Sequence, residues 1–378
     1  MADRPTPTVL VIGGGASGNA VTILLRRAGI TVDLIEAKPD WNATTGSGIT
    51  LQGNALRVLR ELGVWDQVEA SGYPFGSLGV TAPDGTVLFV AEDIQTGGPD
   101  LPATLGMQRP QLQRILIDAV RASGATVRLG TTAESLEQDA DGVSVRFSDG
   151  GEGRYDLVIG ADGLNSATRA AIGITDKPEP TGMAIWRIAT PRPESVTRTD
   201  LAYGGPAYIA GYTPTGENTI YAYVVEACRD RASIDPDTYA DEMRRLAQGY
   251  GGVWPEITEH INDPKKVNYA WFDRLLVEGS WHRGRVVLIG DAAHCCPPTM
   301  AQGAAMSLED ASVLAELLTS GRDWDDELFQ AYHDRRLPRV RTVVEASVQI
   351  GQWQLARVRD ADMAGLVGRT MNILKERP

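Results

Sequence analysis

Apolar residues fall into short runs and two periodicities along this chain, and these set the elements. The runs Val9-Leu10-Val11-Ile12, Leu157-Val158-Ile159 and Val286-Val287-Leu288-Ile289 are unbroken, and Val32, Leu34 and Ile35 form a fourth. Such runs read as strands of a parallel sheet buried on both faces. Helical spacing follows the first run as far as Ala28-Gly29. It recurs at 54–62, with Leu56, Leu59 and Leu62 on one face, and at 111–122, with Leu112, Ile115, Leu116 and Ala119 inward. Strict alternation marks 78–90, where Val80 and Val87/Phe89 flank a Pro83-Asp84-Gly85 turn and predict a hairpin. Short strands with Asp-Gly turns fill 126–159, including Val143–Phe147. Alternation returns over 180–230, with a second hairpin turn expected at Pro214-Thr215-Gly216-Glu217-Asn218. Residues 236–262 read as helical and polar, and helices fill the chain after the 286–289 strand. There is no internal repeat or extended linker. The fold class is α/β: a Rossmann-type domain interleaved with a mostly antiparallel β-sheet domain, then a C-terminal helical tail. The expected division is 1–72, 100–178 and 268–330 for the first, 73–99 and 179–267 for the second, and 331–378 for the tail.

The first apolar strand runs straight into Gly13, Gly15 and Gly18, the G-x-G-x-x-G spacing, and the next strand ends on Glu36. Strand, glycine turn, helix, strand and acid within about 30 residues form a dinucleotide-binding unit. Gly13 permits the tight turn, Gly15 lets the backbone approach a pyrophosphate, and Gly18 brings helix against strand. The helix start offers unpaired N–H groups and positive dipole to phosphates. Glu36 suits the ribose hydroxyls of FAD or NAD, because a 2′-phosphate would be repelled there. Gly13, Gly15, Ala16, Ser17, Gly18, Glu36 and Ala37 are the candidate nucleotide contacts.

Two further stretches have the same strand-to-loop form. In Arg285–Leu318 the buried strand delivers Gly290-Asp291, a Pro297-Pro298 loop follows, and Gly303-Ala304 opens a helix. An aspartate at a strand end can accept hydrogen bonds from a polyol, and a helix start can stabilise a group that becomes anionic. In Tyr155–Arg169 the strand ends in Ala161-Asp162-Gly163, where ligands of open α/β sheets bind, although Asp-Gly alone is more often a simple turn.

Composition narrows the partners. The 378 residues carry 36 Lys plus Arg against 49 Asp plus Glu, a net charge of −13, which argues against nucleic acid or an acidic membrane. The cysteines, Cys228, Cys295 and Cys296, have no C-x-x-C or metal-type spacing, so no metal site is expected and a reduced cytoplasmic setting is. Residues 1–8 are polar and lead directly into a core strand, unlike a signal peptide, and no apolar run reaches the length of a membrane span.

The three motifs, in this order, resemble those of the FAD-dependent single-component aromatic hydroxylases of the para-hydroxybenzoate hydroxylase type. Their GxGxxG, DG and GD fingerprints match Gly13/Gly15/Gly18, Asp162-Gly163 and Gly290-Asp291. Gly46-Ser47-Gly48-Ile49, Asn54 before Leu56 and Leu59, Met107–Leu112, Tyr332 and Arg335-Arg336 extend the likeness over nearly the whole chain. The resemblance implies noncovalent FAD, with Glu36 on the adenosine ribose, Arg109 near the ribityl–pyrophosphate region and Asp162 close to the pyrophosphate. It puts Asp291 on ribityl, Gly303-Ala304 at the pyrimidine edge, Gly48 in the cofactor loop, and Pro297 and Pro298 beside the ring. Many members carry an arginine before the Gly-x-Gly-Ile stretch and a Pro-Asn pair before the early helix. This chain has Asn42-Ala43-Thr44-Thr45 and Gly53-Asn54 instead.

The implied reaction uses NADH or NADPH and O2 to hydroxylate an aromatic or heteroaromatic small molecule through a flavin C4a-hydroperoxide. No side chain needs to act as a nucleophile, so no catalytic residue is assigned. His294 is expected to be structural rather than a proton carrier, and Cys295 and Cys296 to be pocket-wall residues. Substrate candidates on the antiparallel sheet are Arg187, Tyr212, Tyr221 and Tyr223, near Trp186. Tyr221 and Tyr223 share a face, and Arg187 is suited to an acid or phenolate. Transient nicotinamide binding on a surface groove is expected, since only one GxGxxG has a strand–turn–helix setting. Oxidative inactivation of a polycyclic antibiotic is the alternative on the same fold, and a non-catalytic flavin-binding redox sensor is the alternative of another class. The substrate's identity, the choice between NADH and NADPH, and the oligomeric state (monomer or dimer) stay open.

Overall fold

The computed structural model describes residues 7–42, 47–230 and 233–378. The first apolar run is the strand Thr8–Ile12, at the middle of a six-stranded sheet. The strand order is His282–Arg283, Val286–Leu288, Leu157–Gly160, Thr8–Ile12, Thr31–Glu36, Thr126–Leu129. Val11 pairs in parallel with both Leu34 and Ile159, and Val9, Leu10 and Val11 have no solvent exposure. Burial on both faces is why these runs lack alternation. The helix Ala16–Arg27 packs on this sheet, and the helix Gly303–Leu318 packs on that helix. All the carboxyl ends of the parallel strands therefore open on one side, where the three motif loops meet.

The second sheet has eight strands, in the order His294–Cys295, Asn268–Leu276, Glu179–Pro191, Thr219–Ala227, Ile209–Gly216, Thr199–Tyr203, Ser77–Thr81, Val87–Glu92. It is antiparallel except where Thr199–Tyr203 runs parallel to Ser77–Thr81. One face carries Trp186, Tyr212, Ala222 and Val224 under the short helices Tyr239–Ala247 and Trp254–Glu259. Those helices bury Ala240, Met243, Leu246, Trp254 and Ile257, so the segment is amphipathic rather than polar throughout. The other face carries Arg187, Tyr221 and Tyr223, with Tyr221 packed against Gly48.

Three boundaries differ from the expectation. Asn268–Leu276 pairs with Glu179–Pro191, so the residues after 267 begin in the antiparallel sheet rather than in the Rossmann-type unit. The tail does not begin at 331, because Asp326–Leu355 is one helix, capped where the Asp325 carboxylate accepts from the Leu328 N–H at 3.0 Å. The second hairpin turns at Glu217-Asn218 alone. Pro214 lies inside the strand, where a register shift between Pro214 and Gly216 accommodates its missing N–H.

Candidate flavin and substrate site

A cleft of about 440 Å³ lies at the carboxyl ends of the parallel strands, and residues from all three motifs line it. At its nucleotide end Gly13 has φ +108°, and a Cβ there would stand 2.4 Å from the Ala161 carbonyl oxygen; only glycine fits. A Cβ on Gly18 would lie 1.9 Å from the Gly13 oxygen, which is how closely helix meets strand. Gly15 instead faces open space. As N-cap of Ala16–Arg27 it leaves the first-turn N–H groups without a side-chain cap and without an acidic neighbour. Gly15, Ala16 and Ser17 all border the cleft. Glu36 also borders it, its carboxylate accepting from the N–H groups of Gly14 at 2.8 Å and Lys38 at 2.9 Å. A carboxylate has about four acceptor positions, so two remain. Ala37 is exposed next to it and lies outside the lining.

Midway along the cleft stand Arg109 and Asp291. Arg109 starts the helix Arg109–Ala122, and among the described residues no hydrogen bond or ion pair holds its guanidinium. Arg109 is exposed along the cleft, yet the crowding of protein around its guanidinium lowers its pKa, Arg187 nearby lowers it further, and Asp291 and Tyr221 oppose this. Asp291 likewise has no hydrogen-bond partner among the described residues. Burial raises its carboxyl, His294 and Arg109 pull it down, and Asp310 adds to the rise. Asp162 differs: it accepts from the Ser166 hydroxyl and from the Thr168 N–H at 2.9 Å. Its charge thus organises the loop, and Gly163 beside it borders the cleft.

At the far end Gly303 and Ala304 open their helix beside Cys295 and Cys296, and a Cβ on Gly303 would approach Cys296 Sγ no closer than 3.8 Å. Burial pushes the Cys296 thiol up to about 12 and Cys295 higher, which favours the neutral thiol at both positions. Pro297 is buried and Pro298 exposed at the start of a short turn, both outside the cleft lining. Gly48 packs under the sheet: a Cβ there would lie 2.4 Å from Cβ of Tyr221. The neighbouring Ala43–Gly46, where the arginine of the resembled pattern is replaced, lie outside the described residues.

The sheet face above is ordered by its pairing. Arg187 pairs with Tyr223, and the Tyr221 and Tyr223 rings lie 4.9 Å apart. Arg187 donates from Nη2 to Asn268 Oδ1 at 2.6 Å, while its buried Nε has no partner among the described residues. Burial raises the Tyr221 hydroxyl, against the pull of Arg187 and Arg109. Tyr212 is a correction. Its partner Ala222 sits on the face opposite Tyr221, so Tyr212 points away from the cleft, hydrogen-bonds Asp200 Oδ2 at 3.0 Å and packs on Trp254.

Residues 6–347 match the model of the FAD binding domain family. The chain belongs to that family. YetM of Bacillus subtilis strain 168, named provisionally as an FAD-dependent monooxygenase, is 33% identical over 97% of this chain and 99% of its own. The aurachin C monooxygenase/isomerase of Stigmatella aurantiaca is 31% identical over 92% of this chain and 91% of its own. HpxO of Klebsiella pneumoniae, solved with FAD and uric acid, superposes with a TM-score of 0.83 at 24% identity, covering 98% of this chain and 93% of that one, a likeness of fold. This protein is accordingly an FAD-dependent monooxygenase of the aromatic-hydroxylase type.

Behind the cleft the monooxygenase carries a buried charge network that sequence reading missed. Asp310 accepts from the Gly290 N–H at 2.8 Å and from Arg336 Nε at 2.7 Å, and contacts His294 Nε2 at 2.6 Å. Glu309 pairs with Arg336 at 2.9 Å and Arg339 at 2.8 Å, and accepts from Asn54 at 3.1 Å. Burial alone would raise both carboxyls. Arg336 and Arg339 for Glu309, and His294 and Arg336 for Asp310, outweigh it and hold both below the usual range. His294 is thus buried in hydrogen-bond contact with Asp310, beside the Gly290-Asp291 loop. Two more contacts were unforeseen. Asn19 at 3.0 Å, Trp41 at 3.0 Å and Gln113 at 2.8 Å all donate to the Gly14 carbonyl, pinning the glycine loop. Arg169 donates to the carbonyls of Ala292 at 2.9 Å and Leu164 at 3.0 Å, tying the second and third motif loops together. Of the side chains in the charge network, only His294, Asn54 and Arg336 are singled out in the sequence, and none as part of a charge network. Their partners lie far along the chain, so no local pattern joined them.

Proposed function

We propose that noncovalent FAD lies extended along the cleft and that a small aromatic or heteroaromatic substrate is hydroxylated between its far end and the Arg187–Tyr221–Tyr223 face, with NADH or NADPH as transient co-substrate. The observation that carries this is a single cleft lined at once by Gly13–Ser17, by Asp162-Gly163, and by Asp291 with Gly303-Ala304. In this reading Glu36 receives the adenosine ribose, and the uncapped start of Ala16–Arg27 receives the pyrophosphate. Arg109 and Asp291 hold the ribityl region, and Gly303-Ala304 face the pyrimidine edge. FAD, when bound, supplies the redox chemistry: hydride uptake from NAD(P)H and activation of O2 for transfer of one oxygen atom to an aromatic carbon. This chain's own residues orient and exclude water. The dipole at Gly303 favours negative charge at the pyrimidine edge. Arg187, whose Nε lacks a partner among the described residues, anchors an acidic or phenolic substituent of the substrate. Tyr221 and Tyr223 offer ring faces to a planar molecule. Pro297 and Pro298 shape the loop beside the reacting ring.

We also take the chain as two interleaved units, with 73–99 and 179–276 forming the sheet unit. A reduced, cytoplasmic setting accords with three cysteines that are all free. The test is NAD(P)H oxidation by the FAD-loaded enzyme across a panel of aromatic acids, phenols and N-heterocycles, with products identified by mass. Expected is a substrate that accelerates oxidation and gains one oxygen. Oxidation indifferent to every aromatic, with peroxide as the sole product, would refute the hydroxylase reading and leave a flavin-binding protein.

A further inference from the structure

The hairpin at the end of the eight-stranded sheet has no role in the cleft. Its outer strand, Val87–Glu92, is the last in the sheet order, paired on one side only, with Ser77–Thr81. Every residue of it is exposed, including four consecutive large apolar ones: Val87 at 50%, Leu88 at 61%, Phe89 at 56% and Val90 at 46%. They are four of the seven exposed large apolar residues among those described. Exposed edges of this kind are ordinarily blunted by charge, proline or a covering loop, because their unpaired N–H and C=O groups template another strand. Among the described residues no other element covers this one, and its blunting is limited to the charge of Glu92 at one end and a local irregularity in its pairing. A register shift lies between Val80 and Thr81, and the turn is fixed by the Gly251 N–H donating to the Pro83 carbonyl at 2.8 Å. The hairpin is thus a held strand, ready to pair.

Charge selects the occupant. Between Arg60 and Arg109 the chain has no lysine or arginine, while Asp84, Glu92 and Asp93 flank the apolar run. That pattern repels an anionic bilayer or nucleic acid. Two copies of the strand related by a two-fold axis run antiparallel. The acidic Glu92-Asp93 end of each then lies beside the uncharged Thr86-Val87 start of the other, and apolar side chains meet apolar side chains on both faces. Parallel or head-to-tail pairing would put acid on acid or leave an edge open.

We propose that Val87–Glu92 is a self-association edge, on which a second copy of this chain adds its own Val87–Glu92 strand antiparallel across a two-fold axis. The two eight-stranded sheets then become continuous. The apolar patch is on the order of 400 Å² per copy, about half of what each partner contributes to a standard stable interface. An interface of this size suits a reversible dimer rather than an obligate one. This inference is independent of the flavin reading, since no cleft residue belongs to the hairpin.

Sedimentation velocity on the FAD-loaded protein across a micromolar concentration series tests it, alongside Leu88→Lys/Val90→Lys. The expected result is a concentration-dependent monomer–dimer equilibrium. In the variant the dissociation constant should rise about 100-fold or more, as for tenfold or more lost at each of two positions. Amide exchange at 87–92 should slow as wild-type concentration rises. The substituted residues are exposed, so FAD content and circular dichroism should not change, and these report folding separately. A wild type that stays monomeric throughout overturns the proposal. So does a dimer that survives in the variant, or binding to neutral phosphatidylcholine vesicles in place of self-association.

Discussion

Asp291→Ala separates a ligand-binding role from a structural one, because the two roles have opposite signs. Burial raises the Asp291 carboxyl, and among the described residues no hydrogen bond offsets it. A raised carboxyl lowers folding stability as pH rises through its folded pKa, and the full penalty persists above it. Without FAD, the alanine variant should therefore be at least as stable as wild type at neutral pH, and the difference should vanish below about pH 4, the unfolded carboxyl's range. With FAD the order reverses. Loss of a charge-assisted hydrogen bond to a ribityl hydroxyl, about 1.5–3 kcal/mol, weakens FAD about 10- to 100-fold. At FAD equal to about 100 times the wild-type Kd, binding stabilises wild type by about 2.7 kcal/mol. A 100-fold weaker variant retains only about 0.4 kcal/mol of that by the same relation. Thermal unfolding of both proteins with and without FAD, together with a flavin-fluorescence titration, reads each number. Asp291→Asn, which keeps an acceptor but no charge, should fall between. Unchanged FAD affinity in the alanine variant, or an apo variant less stable than wild type, would mean that Asp291 only secures its loop.

Asp310→Ala should behave in the contrary way, destabilising the apo protein by about 3–5 kcal/mol because Arg336 and the Gly290 N–H lose a buried partner; a melting temperature within a degree of wild type would contradict this. Since Glu309 and Asp310 are held below their usual range, the stability they confer is full above about pH 4.5 and is lost as pH falls through their folded values. An acid titration of Glu309→Gln should accordingly show a shallower decline than wild type, and an equally steep one would remove these carboxyls from the account. Arg187→Ala should raise KM for an acidic or phenolic substrate about tenfold or more while leaving FAD affinity alone, and equal KM values would place substrate recognition elsewhere. Cys295 and Cys296, kept as neutral thiols by burial, should resist an aromatic disulfide reagent at pH 8 until the protein unfolds; rapid labelling of either in the native holoenzyme would refute that.

What the sequence disclosed was whatever is coded locally. The glycine turn at Gly13–Gly18 and the buried runs at 9–12, 157–160 and 286–288 depend on residues a few positions apart, so spacing revealed them. Period-two alternation likewise separated Tyr221 and Tyr223 from Ala222. Tyr212 escapes such a reading because alternation fixes faces within one strand, not between strands. Only the register, Tyr212 opposite Ala222, decides which side it faces. The boundary at 268 fails for a related reason. Asn268–Leu276 and the parallel strands are both apolar-rich, and pairing with Glu179–Pro191 is a tertiary fact. The donors to the Gly14 carbonyl stand at positions 19, 41 and 113, and no motif spans that range.

Charges on the two sides of the GD loop are treated in opposite ways, and that contrast marks the site more sharply than any motif. On the helix side Glu309, Asp310, Arg336 and Arg339 are buried, yet each is paired at hydrogen-bond distance. A frame needs this, because a lone buried charge costs several kcal/mol. On the cleft side Arg109 and Asp291 border the same space, influence each other's ionisation, and make no hydrogen bond to any described residue. Arg187, near them on the sheet, keeps one donor unused. A fold selected for stability alone would close these groups on one another, as it does one layer behind. Open groups of this kind cost stability, which accords with the proposed role of the cleft in receiving a ligand that carries hydroxyls and negative charge. The paired layer makes that openness sustainable. Through Gly290 and His294 it holds the backbone on either side of Asp291.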